Sequence, residues 1–273
     1  MKQDRESYQY DTWKDRETEL QRLRRQATLL TKKELDALHR FGLRDGMSVL
    51  DAACGPGQFS ATLSSVLPNS KIVGIDINET LLEEAKRMVE AGDTKLLFEQ
   101  ADVYDLPFCE EFDFIYCRLL FQHLSNPQKA LQSLNKALRP NGILCIMDID
   151  DEWLAIEPAV PSFEYLRERS CEYQAFLGGD RRVGKKLRNY LKHAGFAHLQ
   201  VDLLPTNTDE IGMELFIDII ATFRVEQARN LGVQDADKYL QQLRDTAREN
   251  DLFGIVAPFV VAGRKEWEST ERG

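Results

Sequence analysis

A chain of 273 residues with 43% hydrophobic content can bury one large core, or one core with a small cap. Its 35 basic and 45 acidic residues give a formal net charge of -10, which argues against DNA or RNA as a partner, because phosphate contacts need a basic face. No apolar run approaches the ~20 residues of a membrane span, and the charged opening Met-Lys-Gln-Asp-Arg lacks a signal peptide's apolar region, so a cytoplasmic protein without a membrane partner is expected.

In chain order, residues 1–42 are polar and read as helical, with Leu20, Leu23, Leu29, Leu30, Leu35 and Leu38 as apolar contacts. Residues 49–53 form an apolar run that carries Asp51 and leads into a glycine turn at Gly55 and Gly57. A second strand, residues 71–75, ends in Asp76, nineteen residues after Gly57. A glycine turn lets a ligand approach the backbone, and an acid about 20 residues on can hold a ribose hydroxyl pair. Asn78 then caps a helix with Leu81, Leu82, Ala85, Met88 and Val89 on its apolar side, ended by Gly92.

Residues 96–101 and 112–117 read as the third and fourth strands. Asn126 caps the next helix, with Pro127 in its first turn, and Pro140-Asn-Gly stops it. Residues 143–149 form the fifth strand, 185–194 a helix ended by Gly195, 198–204 a strand and 255–263 the last strand. Helices between strands favour parallel pairing through right-handed crossovers, so the fold class is α/β: a doubly wound, mostly parallel, seven-stranded sheet with helical lid segments. Residues 151–179 and 209–250 stand outside the alternation; the second reads as two helices flanking Gly232, with an apolar stripe at Ile211, Leu215, Ile219, Ile220 and Phe223. The expected division is a lid at 1–42, a cofactor-binding core at 43–150, an acceptor-side insert at 151–179, core again at 180–208, a second lid at 209–253, and the last strand and tail at 254–273.

Two cofactors compete for the glycine turn. A dinucleotide's pyrophosphate wants bare helix N–H groups and would be repelled by Asp51; the third glycine of G-x-G-x-x-G is also missing, its place taken by Ser60. An acid before the turn suits the ammonium of S-adenosylmethionine instead.

The stretch Val49-Leu-Asp-Ala-Ala-Cys-Gly-Pro-Gly57 resembles motif I of class I S-adenosylmethionine-dependent methyltransferases. Gly74-Ile-Asp-Ile-Asn78, residues 101–108, residues 112–124 and Ala137-Leu-Arg-Pro-Asn-Gly-Ile-Leu144 resemble the family's later segments, so the resemblance covers residues 46–150. The departure is Ala53, where the family usually has a glycine; a slightly tighter turn is expected there. The resemblance implies S-adenosyl-L-methionine as cofactor, with Asp51, Gly55 and Gly57 at its methionine end and Asp76 on the ribose. It implies Ile77 against the adenine, Asp102 and Val103 at the adenine edge, and a backbone group of Cys117 near the sulfonium. Tyr8, Tyr10 and Trp13 are expected to fold over the cofactor.

Methyl transfer is an in-line displacement that asks mainly for alignment and dryness. His123 is the candidate base, weighed against a purely structural histidine. Arg118 is a candidate to hold an acidic acceptor or a lid carboxylate, weighed against a structural salt bridge. Asp150 and Asp151 are candidates for a cationic acceptor, weighed against solvated strand-end acids, and Tyr10, Trp153 and Phe223 are candidates for the acceptor pocket. Some family members hold a divalent ion after the fourth and fifth strands; here Cys117 and Arg118 occupy the first position, so no metal is expected. Cys54, Cys109, Cys117, Cys145 and Cys171 form no C-x-x-C pair and read as free thiols. The expected activity is methyl transfer to a small-molecule acceptor. The alternatives are a non-catalytic S-adenosylmethionine sensor or scaffold, and a protein or tRNA methyltransferase, the charge weighing against tRNA. The sequence leaves the oligomeric state open.

Overall fold

Val49 and Leu50 are neighbours that feed opposite layers, because successive side chains of a strand point to opposite faces. The computed structural model describes residues 16–89 and 94–266. Helices α1 (Arg16–Leu29) and α2 (Thr31–Phe41) precede β1 (Ser48–Ala52), α3 (Gln58–Val66), β2 (Lys71–Asp76), α4 (Glu79–Lys86), β3 (Leu96–Gln100) and β4 (Phe112–Arg118). Then come α5 (Pro127–Ala137), β5 (Leu138–Asp148), β6 (Leu154–Glu157), α6 (Pro161–Phe176), α7 (Leu187–His193), β7 (Phe196–Leu203) and β8 (Thr206–Asn207). The chain finishes with α8 (Thr208–Ile211), α9 (Met213–Ile220), α10 (Thr222–Asn230), α11 (Ala236–Glu249), β9 (Phe253–Val256) and β10 (Phe259–Lys265).

The main sheet has seven strands in the order β3-β2-β1-β4-β5-β10-β7. All pairings are parallel except those of β10, which runs antiparallel to both β5 and β7. On one face Leu50, Ile75 and Ile115 pack with Leu131, Leu134 and Leu187; on the other, Val49, Ile72 and Phe114 pack with Leu38, Phe41 and Leu63. The capping expectations hold at Asn78, which accepts from the Leu81 N–H at 2.9 Å, and at Asn126, which accepts from the Lys129 N–H at 3.2 Å. Gly92, expected to end the helix that Asn78 opens, lies outside the described residues.

The expected last strand at 255–263 is in fact two strands in two sheets. Pro258 has no N–H to give a ladder, and the chain breaks at Ala257–Pro258. β9 joins β6 and β8 in a small antiparallel sheet ordered β6-β9-β8, while β10 enters the main sheet. The segment before Gly232 holds α8, α9 and α10 rather than one helix; Gly212, at φ +81°, separates the first two. α6, α8, α9 and α11 close a second apolar core around Ile156, Phe163, Phe216, Ile217 and Leu243, and α10 packs beside it through Val225 and Ala228 against Leu166 and Ala236. α2 belongs to the packing of the main sheet, with Ala37, Leu38 and Phe41 buried against it. No described helix is long and apolar enough to cross a membrane.

Candidate active site

Three left-handed residues fold the turn after β1: Ala53 at φ +64°, Gly55 at +54° and Gly57 at +80°. The two glycines differ in purpose. A Cβ on Gly55 would meet nothing within 4 Å, so that position stays open to a ligand. A Cβ on Gly57 would stand 2.7 Å from Ala85 Cβ and 2.8 Å from Phe98 Cζ, so this glycine lets α3 start tight against α4 and β3.

Asp76 ties this turn to the next. Its Oδ2 accepts the Gly55 N–H at 2.8 Å and its Oδ1 the Asn78 N–H at 2.9 Å. Asp51 is buried and accepts the Ser60 hydroxyl at 2.6 Å. Burial pushes its carboxyl up to about 6, with the Ser60 bond working in the opposite direction. Asp102 accepts the Tyr104 N–H at 2.8 Å at the end of β3.

A cavity of about 730 Å³ lies over these strand ends. Asp51, Gly55, Asp76, Ile77, Asp102 and Tyr104 line one part of it. Leu29, Leu30, Ile219, Ile220 and Phe223, from α1, α9 and α10 and their junctions, line another part. Leu154, Thr206 and Val256 line it too: one residue from each strand of the small sheet, in direct register. His123, Arg118, Asp151, Arg181 and Arg224 are among its other polar lining residues, with Arg22, Gln26, Gln122 and Gln227.

Several expected site residues stand away from this cavity. Gly57 has the packing role just described. Val103 and Cys117 turn into the core beneath the sheet end, and Tyr104 takes the lining position. Asp150 is buried off the cavity, accepting the Glu152 and Lys185 N–H groups at 3.0 and 3.4 Å; Asp151 lines the cavity instead. Trp153 is half-exposed and packs edge-on to Phe259, ring centroids 5.3 Å apart. Tyr8, Tyr10 and Trp13 lie outside the described residues.

Arg118 is committed to Glu34 of α2, with its Nη2 also donating to the Gln26 carbonyl at 2.7 Å. His123 Nδ1 lies 2.8 Å from Gln174 Nε2, which also donates to the Gln122 carbonyl at 2.8 Å. That carbonyl can only accept, so it fixes the amide nitrogen toward it, and Nδ1 is left to accept from the same NH₂ group. Burial, Arg181 and Arg22 pull the imidazole down to about 3, so it is neutral at physiological pH. Both features weaken His123 as a base.

Of the buried charged residues here, sequence reasoning named Asp151, left Arg181 open between an anion site and a solvated helix face, and missed Arg224. Asp151 joins two arginines, Arg181 through bonds of 2.8 and 3.0 Å and Arg224 through contacts of 3.0 and 3.1 Å. The Phe223 ring lies 4.8 Å from each of those guanidinium carbons and 5.3 Å from that of Arg22. The only sequence signal was the basic run at Arg181 and a charge beside the apolar stripe at Arg224. Among the described residues no group of three or more His, Cys, Asp or Glu is placed to hold a metal ion.

A seven-stranded sheet with β10 antiparallel, a glycine turn after β1 and an acid closing β2 is the architecture of class I methyltransferases. The sequence profile of the methyltransferase domain family matches residues 43–195, just over half of the chain. The chain belongs to this family, whose cofactor is S-adenosylmethionine. An uncharacterized 37.1 kDa transposon protein of Streptomyces fradiae is 30% identical over 216 residues, 78% of this chain and 54% of that protein. A trans-aconitate 2-methyltransferase of an Azoarcus species is 28% identical over 156 residues, 56% of each chain. Among solved structures, a Haemonchus contortus phosphoethanolamine N-methyltransferase in complex with S-adenosyl-L-methionine superposes with a TM-score of 0.57 at 20% identity, over 86% of this chain and 53% of that one. This chain spans about half the length of the curated relatives it matches.

Proposed function

We propose that the protein transfers a methyl group from S-adenosylmethionine to a small-molecule acceptor by in-line displacement, acting mainly by positioning and exclusion of water. The observation that carries this reading is the continuity of the cavity from Asp51 and Asp76 to Phe223 and Arg224. Its volume falls within the roughly 300–1,000 Å³ of small-molecule sites. A non-catalytic sensor has no use for a second compartment beside the donor site.

The residues present fit the donor. Gly55 leaves open space beside two carboxylates, and a carboxylate oxygen that already takes one N–H keeps a lone pair for a ligand hydroxyl. Asp51 is assigned to the ammonium, Asp76 to the ribose hydroxyls, Ile77 and Tyr104 to the adenine faces and Asp102 to its edge. When bound, the cofactor supplies an electrophilic methyl on a positively charged sulfur. The chain's own task is to hold the acceptor's nucleophile in line and to keep the space dry, which the apolar walls at Leu154, Ile219, Ile220 and Val256 favour. Residues 16–29 and 209–256 form the roof in this reading. The trans-aconitate relative's name supports a small acceptor.

Calorimetry with S-adenosylhomocysteine and with NADH tests the donor assignment, binding being expected for the first alone. Mass spectrometry of a cell extract incubated with the protein and isotope-labelled donor then identifies the methylated product. Label that appears only on macromolecules would overturn the small-acceptor reading.

A further inference from the structure

Arg181 and Arg224 bring two positive charges into the cavity wall, with side chains 7% and 1% exposed, and they share one carboxylate, Asp151. The remaining charges nearby do not cancel the excess. Arg22 has Glu19 at 2.6 Å, and Arg118 has Glu34. His123 is neutral, and burial keeps the Cys171 thiol protonated beside Asp151. Asp148 accepts the Ile149 and Gln122 N–H groups, and burial pushes its carboxyl up to about 7 against the pull of Arg181, so at pH 6.5 it is mostly protonated and offsets only part of the excess.

A buried, uncompensated cation is costly, and a protein interior normally pairs it. The donors are also incompletely used. Arg181 spends three N–H groups on Asp151 and Gln122. Arg224 spends its terminal nitrogens on Ser170 and Asp151, while its buried Nε has no acceptor among the described residues. Packing of both guanidiniums on Phe223 fixes them in place without supplying negative charge.

We infer that the methyl acceptor is a monoanion, a carboxylate or similar acid on a largely apolar body, whose acid group is held by Arg224 and Arg181 beside Phe223. One net positive charge asks for one negative charge, and the walls at Leu154, Ile219 and Ile220 suit the apolar remainder. The inference rests on the acceptor compartment proposed above and specifies what enters it.

The test uses the full chain at pH 6.5, with and without S-adenosylhomocysteine, and two probes of matched shape, 4-phenylbutyrate and its neutral amide. The acid is expected to bind at least about tenfold more tightly than the amide. Arg224→Met leaves a neutral Arg181–Asp151 pair and should abolish that preference without changing the affinity for S-adenosylhomocysteine. Arg224→Lys keeps the charge and should retain a preference, and Asp151→Asn should enlarge it. Equal binding of acid and amide, absence of acid binding at millimolar concentration, or a preference that survives both Arg224→Met and Arg181→Met overturns the inference. Failure of S-adenosylhomocysteine to bind would instead overturn the donor assignment, and the acid–amide comparison on the free chain would still decide this one.

Discussion

Arg118 and Glu34 form a two-point ion pair: Nε donates to Oε2 at 3.0 Å and Nη2 to Oε1 at 3.1 Å. The Tyr116 hydroxyl adds a third bond to the same carboxylate at 3.1 Å. The side chains are 12% and 0% exposed, so the pair sits in a dry place where β4 meets α2. Of the three uses weighed for this cation in the sequence, an acidic acceptor, a lid carboxylate or a structural salt bridge, the pairing with Glu34 matches the last two and clamps an N-terminal helix over the donor end of the sheet.

Replacing Glu34 with Gln would strand a buried guanidinium. Loss of one partner of a buried pair costs about 3–5 kcal/mol, so thermal denaturation should show a large fall in stability. The double variant Glu34→Gln with Arg118→Met should recover most of it, since no charge is then left behind. A single variant as stable as the parent would show that the pair contributes nothing.

Donor binding should depend on pH through Asp51. Burial raises its carboxyl to about 6, so the fraction ionised, and with it the attraction for the donor's ammonium, is lost as pH falls through that value. If only the carboxylate binds, affinity for S-adenosylhomocysteine at pH 5 should be about tenfold weaker than at pH 7. Ser60→Ala removes a bond that stabilises the carboxylate, so the midpoint should move to higher pH. A flat calorimetric profile between pH 5 and 7 would remove Asp51 from the ammonium.

Ala53 occupies the left-handed region at φ +64°. An L side chain there costs roughly 1–2 kcal/mol, partly offset because alanine loses less backbone freedom on folding than glycine. Ala53→Gly should therefore raise stability by about 0.5–1 kcal/mol in chemical denaturation. A destabilised variant would show that the methyl group packs usefully against the turn.

The His123 ring should not titrate between pH 5 and 8, because it is pulled down to about 3 and accepts from Gln174 at Nδ1. Heteronuclear NMR of the imidazole nitrogens should report one neutral form with the proton on Nε2 throughout that range. A titration near 6.5 would return His123 to the list of possible bases.

The donor half of the site was legible because its logic is local. Asp51, Gly55, Asp76 and Asp102 each stand within a few residues of a strand end, and strand-turn-helix spacing is written in the sequence. Gly57 was legible as a glycine but not in its purpose, since Ala85 and Phe98 come from other elements. The acceptor half depends on distant partners: Arg224 meets an acid 73 positions away, and Arg181 meets the same acid across 30. Only the apolar stripe beside it sets Arg224 apart in the chain from a solvated helix residue. The strand break at Pro258 was open to inspection, but the apolar run around it outweighed one proline.

The small sheet has a consequence for how relatives diverge. Its strands follow β5 (β6), follow β7 (β8) and precede β10 (β9), and β9 borders the other two. Two insertions far apart in the gene are therefore seams of one pleated ceiling, and Leu154, Thr206 and Val256 form a row on it. Neither insertion can change length or register alone without opening an edge against the other. The floor of the site can drift by point substitution, while its ceiling is expected to change only in coordinated steps.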